Sequence, residues 1–395
     1  MKHEAEQNHI VLYLENRIDS SNAAQTEKEV FDILEAHPEK TPLFDASALD
    51  YISSAGLRVL MKVRKRQQEK VTVREVSSEV YDILDTTGFT ELLDVRKKLR
   101  EISLEGCEVI GRGFYGTVYR IDADTIVKMY QTPDAMEMIE NEKRMAKMAF
   151  VKGIPTAISF DIVKSGNRFG SVFELLKAKT YNDLVIEQPE RTEELVRDYV
   201  KFFKEVHATL MDEGTLPSAR ERFLSYTDEL GDWLSAERIA RCRTLLETIP
   251  EDLHVIHGDF QMKNVMLADG EPMLIDMDTL ATGHPVFDLA GLYVTYVAFE
   301  EDDPENGRSF LGIDNDKCAY IWKKILEFYT EGASEAEREE IELKIRIVAY
   351  IRFLFILAIS DIKNGELGEK RVRTAVRHLE ELTGRTDSLY FVTAE

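Results

Sequence analysis

Cysteine, positive charge and long apolar runs are all in short supply in this chain. Its three cysteines, Cys107, Cys242 and Cys318, are widely separated. That spacing excludes a cysteine-held metal ribbon and a disulfide framework, and it fits a reducing cytoplasm. Lysine and arginine total 50 against 73 aspartates and glutamates, for a net charge of −23 over 395 residues. Sequence-independent binding of DNA or RNA needs the opposite sign, so no nucleic-acid partner is expected. The most apolar run, 347–359, is interrupted by Arg352 and too short to span a bilayer, which predicts a buried helix and no membrane role. An apolar signal core is missing from the N-terminus, so the expected location is the cytoplasm. Internal repeats and low-complexity linkers are absent as well.

What the chain does contain is a polar constellation, His257-Gly258-Asp259-Phe260-Gln261-Met262-Lys263-Asn264, followed by Leu274-Ile275-Asp276. Moving a γ-phosphoryl group demands little covalent work of a protein. It needs a carboxylate to take the attacking hydroxyl's proton and hard oxygen ligands to hold a magnesium-bound triphosphate in line. Asp259 is the candidate base, and Asn264 and Asp276 are the candidate Mg²⁺ ligands. Short apolar runs flank them, Val265–Ala268 and Pro272–Ile275, separated by the turn Asp269-Gly270-Glu271, so the polar residues fall on connections between small strands. An isolated Asp beside Gly ordinarily serves a turn; three such ligands at this interval point to chemistry instead. Asp278 is open to two roles, a second carboxylate near the metal or a salt-bridge partner.

Upstream, Gly111-Arg112-Gly113-Phe114-Tyr115-Gly116-Thr117-Val118 reads G-x-G-x-x-G-x-V after a strand at Cys107–Ile110. Backbone N–H groups of Gly111, Gly113 and Gly116 could then approach phosphates. Dinucleotide-binding loops share the pattern but run straight into a helix, whereas here a strand, Thr117–Ile121, and a turn, Asp122–Asp124, follow. Lys128, on the strand Thr125–Tyr130, is placed to pair with the α- and β-phosphates. A glutamate from the next helix, about 134–150, would hold it; Glu142 is the choice and Glu140 the alternative.

These residues, with Asp288-Leu289-Ala290, make the chain from about residue 103 onward resemble the aminoglycoside phosphotransferase and choline kinase family, whose fold is protein-kinase-like. The resemblance implies ATP and Mg²⁺ as cofactors, Asp259 as base, and Asn264 and Asp276 as metal ligands. It also implies a hinge at Val172–Leu176, where backbone groups of Glu174 and Leu176 would meet the adenine edge, and a supporting role for Asp288 behind the catalytic loop. His-Gly-Asp and Ile-Asp-Met-Asp point to the small-molecule branch, while residues 112–141 look more like a protein kinase. His207 is expected to be a packed, hydrogen-bonded histidine, and His284-Pro285 a turn. The acidic clusters 300–303 and 335–342 are expected to be solvated faces.

The first hundred residues alternate strand and helix: a strand at Ile10–Leu14, a helix at Ala23–Ala36, and a short strand at Pro42–Phe44. A helix follows to about residue 68, then a strand at Val71–Val73 and a helix near Val80–Asp85, an α/β pattern of a sheet covered by helices. Asp45-Ala46-Ser47, Tyr51-Ile52-Ser53-Ser54-Ala55-Gly56-Leu57 and Thr87-Gly88-Phe89 make this segment resemble the STAS, or anti-sigma factor antagonist, family. In that family a hydroxyl at the helix start is a phosphorylation switch, and Ser54 aligns with it. The aspartate that often precedes it is Ser53 here, and helix capping is the other use open to both serines.

The expected organisation is an α/β STAS-like domain at 1–100 and an α+β, two-lobed kinase-like domain at 101–395. The latter divides into a small antiparallel-sheet N-lobe at about 101–176 and a mostly helical C-lobe at about 177–395. The expected activity is phosphoryl transfer from ATP to a hydroxyl of a small molecule, with a cationic acceptor suited to an acidic lobe, and a protein partner for the STAS module. A protein kinase acting on a regulator or on its own Ser54, and a non-catalytic nucleotide-binding signalling protein, are the alternatives.

Overall fold

The computed structural model describes residues 1–67, 70–112, 116–132 and 135–392. The chain forms two compact units, Met1–Ser103 with Ile162–Asn167, and Leu104–Asp161 with Arg168–Glu395.

The first unit is a sheet of β1 (His3–Ala5), β2 (His9–Ile18), β3 (Thr41–Ile52), β4 (Thr72–Val76) and β5 (Asp94–Lys97), in that order. Only β1 is antiparallel to its neighbour; β2 to β5 run parallel. Parallel neighbours need crossovers, and α1 (Ala23–Ala36), α2 (Ser54–Arg66), α3 (Ser78–Thr86) and α4 (Phe89–Leu92) supply them. Leu12, Phe44, Val63, Val73 and Val80 are the centre of its core. One expectation needs correction here. The strand expected at Pro42–Phe44 continues through the polar stretch Asp45–Asp50 to Ile52, because β2 is long enough to pair with it throughout, with two irregularities in register. The charged stretch 96–101 carries the end of the edge strand β5 and β6 (Arg100–Glu101), charges being tolerated on sheet edges. β6 pairs in parallel with β10 (Asp161–Ser165).

In the second unit, β7 (Glu108–Arg112), β8 (Gly116–Arg120), β9 (Thr125–Tyr130) and β11 (Arg168–Glu174) form antiparallel neighbours in the order β11-β9-β8-β7. Helix α5 (Ala135–Val151) follows β9. Beyond β11 the chain is mostly helical: α6 (Tyr181–Glu187), α7 (Thr192–His207), α8 (Ala219–Tyr226), α9 (Ala236–Glu247), α10 (Val286–Tyr293), α11 (Asn306–Phe310), α12 (Asn315–Tyr329), α13 (Glu335–Ile359) and α14 (Gly365–Leu382). Short strands interrupt the helices: β12 (Ala178–Thr180) pairs with β14 (Val265–Ala268), which pairs with β15 (Glu271–Leu274), while β13 (Val255–Ile256) pairs with β16 (Ala281–Thr282). Tyr199, Phe203, Phe260, Phe287 and Phe353 are wholly or almost wholly buried in this core, each worth roughly 1.5–3 kcal/mol of transfer free energy. Helix α13 starts on a reciprocal cap between Ser334 and Glu337.

The cluster 300–303 is not a solvated face. Glu300 and Asp302 are buried; Asn306 Nδ2 donates to Glu300 at 3.1 Å, and on α14 Lys370 lies 3.5 Å from Asp302, Arg371 3.3 Å from Asp303 and His378 Nε2 3.0 Å from Glu301. Among the described residues no helix is long and apolar enough to cross a membrane.

Candidate active site

The loop from His257 to Asn264 leaves β13 and enters β14 through a single helical turn at Met262–Asn264. Within it, Asp259 is surrounded by donors. Its Oδ2 accepts hydrogen bonds from Gln261 Nε2 at 2.8 Å and from Asn264 Nδ2 at 2.9 Å. Its Oδ1 lies 3.7 Å from Arg352 Nη2. One carboxylate oxygen is thus committed to the loop, and the other can take a proton. Asn264 Nδ2 also donates to the Asp259 main-chain carbonyl at 2.9 Å, which commits the amide nitrogen and leaves the amide oxygen, the atom a cation would use.

Asp288 holds this loop from behind. It is wholly buried and accepts the N–H of His257 at 2.8 Å and of Gly258 at 2.6 Å. His207 Nε2 donates to it at 3.1 Å, while His207 Nδ1 takes the Tyr329 hydroxyl at 2.7 Å. Burial alone would raise the Asp288 carboxyl, but the His207 bond and the main-chain donors outweigh it and hold the group below the usual carboxylate range. Gly258 has φ +83°, and a Cβ there would lie 2.4 Å from the Thr279 carbonyl. Only glycine allows this contact between the base loop and the segment after β15. Thr279 Oγ1 donates to the His257 carbonyl at 2.8 Å and Arg222 Nη1 to the Thr279 carbonyl at 2.7 Å, tying the two segments together.

Asp276 follows β15 in the left-handed region, with φ 64°, a conformation Asp tolerates better than most residues. Its carboxylate meets Lys128, which comes from β9. Lys128 Nζ also lies 3.2 Å from both oxygens of Glu142 on α5, and the Tyr130 hydroxyl donates to the same glutamate. Burial would lower the Lys128 pKa, but Glu142 and Asp276 together raise it, so the ammonium keeps its charge. Glu142 is buried, whereas Glu140, the alternative, is exposed. Burial, followed by the neighbouring Asp276 charge, pushes the Asp278 carboxyl up to about 7.

Gly111 lies on β7 and Gly116 on β8; a Cβ on Gly116 would sit 2.4 Å from the Met129 carbonyl, so close packing against β9 already requires glycine there. Gly113 falls outside the described residues. At the end of β11, Leu175 N–H donates to the Asp124 carbonyl at 2.7 Å. Glu174, the last residue of β11, stands opposite Thr125 of β9, and Leu176 lies beyond the strand. Among the described residues no three His, Cys, Asp or Glu side chains gather as a self-sufficient metal cage. The Asp276 carboxylate and the Asn264 amide oxygen are hard oxygen donors, the kind that could hold a hard cation. A separate crevice of about 940 Å³, lined by Ile186, Glu190, Arg308, Ile313, Lys317 and Tyr320, includes none of these residues.

Sequence reasoning did not find Gln261, Tyr130, Arg222 or Arg352. Only Arg352 left a signal, a charge inside the most apolar run of the chain.

A small antiparallel sheet carrying a lysine, a helix carrying its glutamate and a base loop in a helical body define a kinase-like phosphotransferase. Residues 106–314, more than half of the chain, match the model of the phosphotransferase enzyme family, and the chain belongs to that family. Residues 1–102 match the STAS domain. Over 89 residues the chain is 30% identical to the anti-sigma factor antagonist BtrV of Bordetella bronchiseptica, covering 22% of this chain and 76% of that protein. Among solved structures it is similar to ADP-bound aminoglycoside phosphotransferase APH(2'')-Ib, with a TM-score of 0.48 at 16% identity over 78% of this chain and 99% of the other. A ternary complex of a thermostable APH(4)-Ia variant with ADP and hygromycin B gives a TM-score of 0.48 at 12% identity, over 77% of this chain and 97% of the other.

Proposed function

We propose that this chain is a cytoplasmic phosphotransferase that uses ATP and Mg²⁺ to phosphorylate a hydroxyl of a small molecule, and that its STAS module at 1–100 receives a protein partner. The kinase-like part in this reading spans 101–395, its lobes meeting near residue 176. The convergence of Lys128, Glu142 and Asp276, beside a loop in which Asp259 Oδ2 is held by Gln261 and Asn264 while Oδ1 lies beside Arg352, carries the reading. Magnesium-bound ATP supplies the transferable phosphoryl group when present. Lys128 offers its charge to the α- and β-phosphates, and Asn264 and Asp276 present oxygens to the metal. Asp259 takes the hydroxyl proton at Oδ1, while Glu174 and Leu176 present backbone groups to the adenine. Gly111 and Gly116 shape the phosphate-facing strands. A net charge of −23 favours a cationic acceptor by long-range attraction.

The test is ATP turnover by the full chain against a panel of amino sugars, choline-like amines and neutral sugars, with Asp259→Asn alongside. The variant should bind nucleotide and lose transfer by orders of magnitude; equal turnover in variant and parent removes Asp259 from the mechanism.

A second reading makes Ser54 the acceptor. Ser53 is the residue that caps α2, accepting the Ala55 N–H at 3.2 Å, while Ser54 is exposed, so its hydroxyl is accessible to a phosphate donor. Labelling of wild-type protein but not of Ser54→Ala with γ-labelled ATP would support it, and an unlabelled Ser54 in active enzyme would end it.

A further inference from the structure

Arg352 stands in the middle of α13, between Ile351, Phe353 and Leu354, all wholly buried. A charge in such surroundings is costly unless it is hydrogen-bonded and paired. Arg352 Nη1 donates to the Gly258 carbonyl at 2.5 Å, and its Nη2 lies 3.7 Å from Asp259 Oδ1. Helix α10 is shaped to admit it, because a Cβ on Gly291 would come within 3.0 Å of Nη1. One guanidinium therefore grips the peptide just before the proposed base and stands beside the base itself.

We propose that Arg352 is a positioning residue for phosphoryl transfer: it anchors the Gly258–Asp259 peptide and orients the Asp259 carboxylate so that Oδ1, not Oδ2, meets the acceptor. Oδ2 is held by Gln261 and Asn264. Without a third anchor behind the loop, the carboxylate plane can turn, and its two oxygens lose their distinct roles. Nucleotide binding does not depend on this anchor, since Lys128, Glu142 and Asp276 come from other segments. A cation on α13 beside the base also explains why the apolar run is broken at this position. The inference rests on Asp259 being the base.

The experiment compares Arg352→Met, Arg352→Lys, Gly291→Ala and Asp259→Asn in the full chain. It reads phosphate release from ATP with water as acceptor, ADP affinity, and thermal melting. Arg352→Met should lower kcat about a hundredfold, the typical effect of a small misplacement at a reacting centre, with KM for ATP unchanged. Arg352→Lys should recover part of the rate. Gly291→Ala, which crowds the guanidinium without removing its charge, should fall between the two, and it serves as the test should Arg352→Met not fold. Low millimolar guanidinium should speed Arg352→Met and not Asp259→Asn. Parental turnover in Arg352→Met or in Gly291→Ala, with Asp259→Asn inactive, overturns the positioning role. So does a loss of rate that follows ADP affinity and melting temperature. Parental turnover in Asp259→Asn, or no phosphate release by the parent, instead overturns the reading of the site, and the role of Arg352 with it.

Discussion

Lys128 Nζ sits 3.2 Å from each carboxylate oxygen of Glu142 while also meeting Asp276, a residue 148 positions away in the chain. The ammonium is largely buried, so each carboxylate offsets part of its desolvation. Glu142→Gln leaves Asp276 as the one charged partner and draws that carboxylate toward the lysine. A charge-assisted hydrogen bond is worth roughly 1.5–3 kcal/mol. We therefore expect ATP affinity to fall by one to two orders of magnitude, measured by calorimetry with Mg²⁺ present. Unaltered affinity would mean that Lys128 needs no help from α5.

Asp276→Ala separates metal binding from nucleotide binding. Parent and variant should bind ATP comparably when Mg²⁺ is chelated, and only the parent should tighten as Mg²⁺ is added. Identical magnesium titrations would transfer the ligand role to another residue, with Asp278 first in line because burial beside Asp276 pushes it up to about 7 and a bound cation would relieve that strain.

Two glycines with similar backbone angles should respond differently to alanine. Gly258 has φ +83° and no space for a Cβ, whereas Gly270 has φ +86° with nothing within 4 Å. Gly270→Ala should cost only the left-handed conformation, about 1–2 kcal/mol. Gly258→Ala adds overlap with Thr279 worth about 1–3 kcal/mol more, and it should also slow turnover, because Thr279 ties the base loop to the segment after Asp276. Chemical denaturation of both variants checks the order; equal destabilisation would show that the loop yields at Thr279.

Some of this was legible in the sequence and some was not, for identifiable reasons. The strand Thr125–Tyr130 and the helix Ala23–Ala36 have the bounds that their apolar spacing predicts. The continuation of β3 through Asp45–Asp50 was missed because its polar residues carry no strand signal of their own; pairing with β2 imposes the conformation. Helix α10 was missed for the opposite reason: all eight of its residues are buried, so no polar face marks a helical period. Lys128, Glu142, Asp259, Asn264 and Asp276 could be singled out from the sequence as candidates, because their residue types are those that phosphate and magnesium demand. Residue types could not show that Asp259 has one oxygen held by Gln261 and Asn264 and the other facing Arg352, since the guanidinium arrives from a helix 94 residues beyond Gly258.

His284 provides a pH signature outside the catalytic residues. Its Nε2 donates to the Phe391 carbonyl at 2.8 Å and its Nδ1 accepts the Val286 N–H at 3.1 Å, which requires the neutral ring. Burial lowers its pKa to about 4, against the opposing pull of the Phe391 carbonyl. In the unfolded chain the ring titrates near the ordinary value of about 6.5. Between those two values the unfolded state binds a proton that the folded state refuses, so stability falls as pH drops from about 6.5 to about 4 and this group costs nothing further below that. The full loss corresponds to about 3 kcal/mol. His284→Gln, which cannot take up that proton, should flatten this part of the curve. Urea melts of parent and variant at pH 7, 5.5 and 4.5 measure the difference. A stability gap that does not change with pH would mean that the histidine is protonated in the fold and that the C-terminal segment at Phe391 is held some other way.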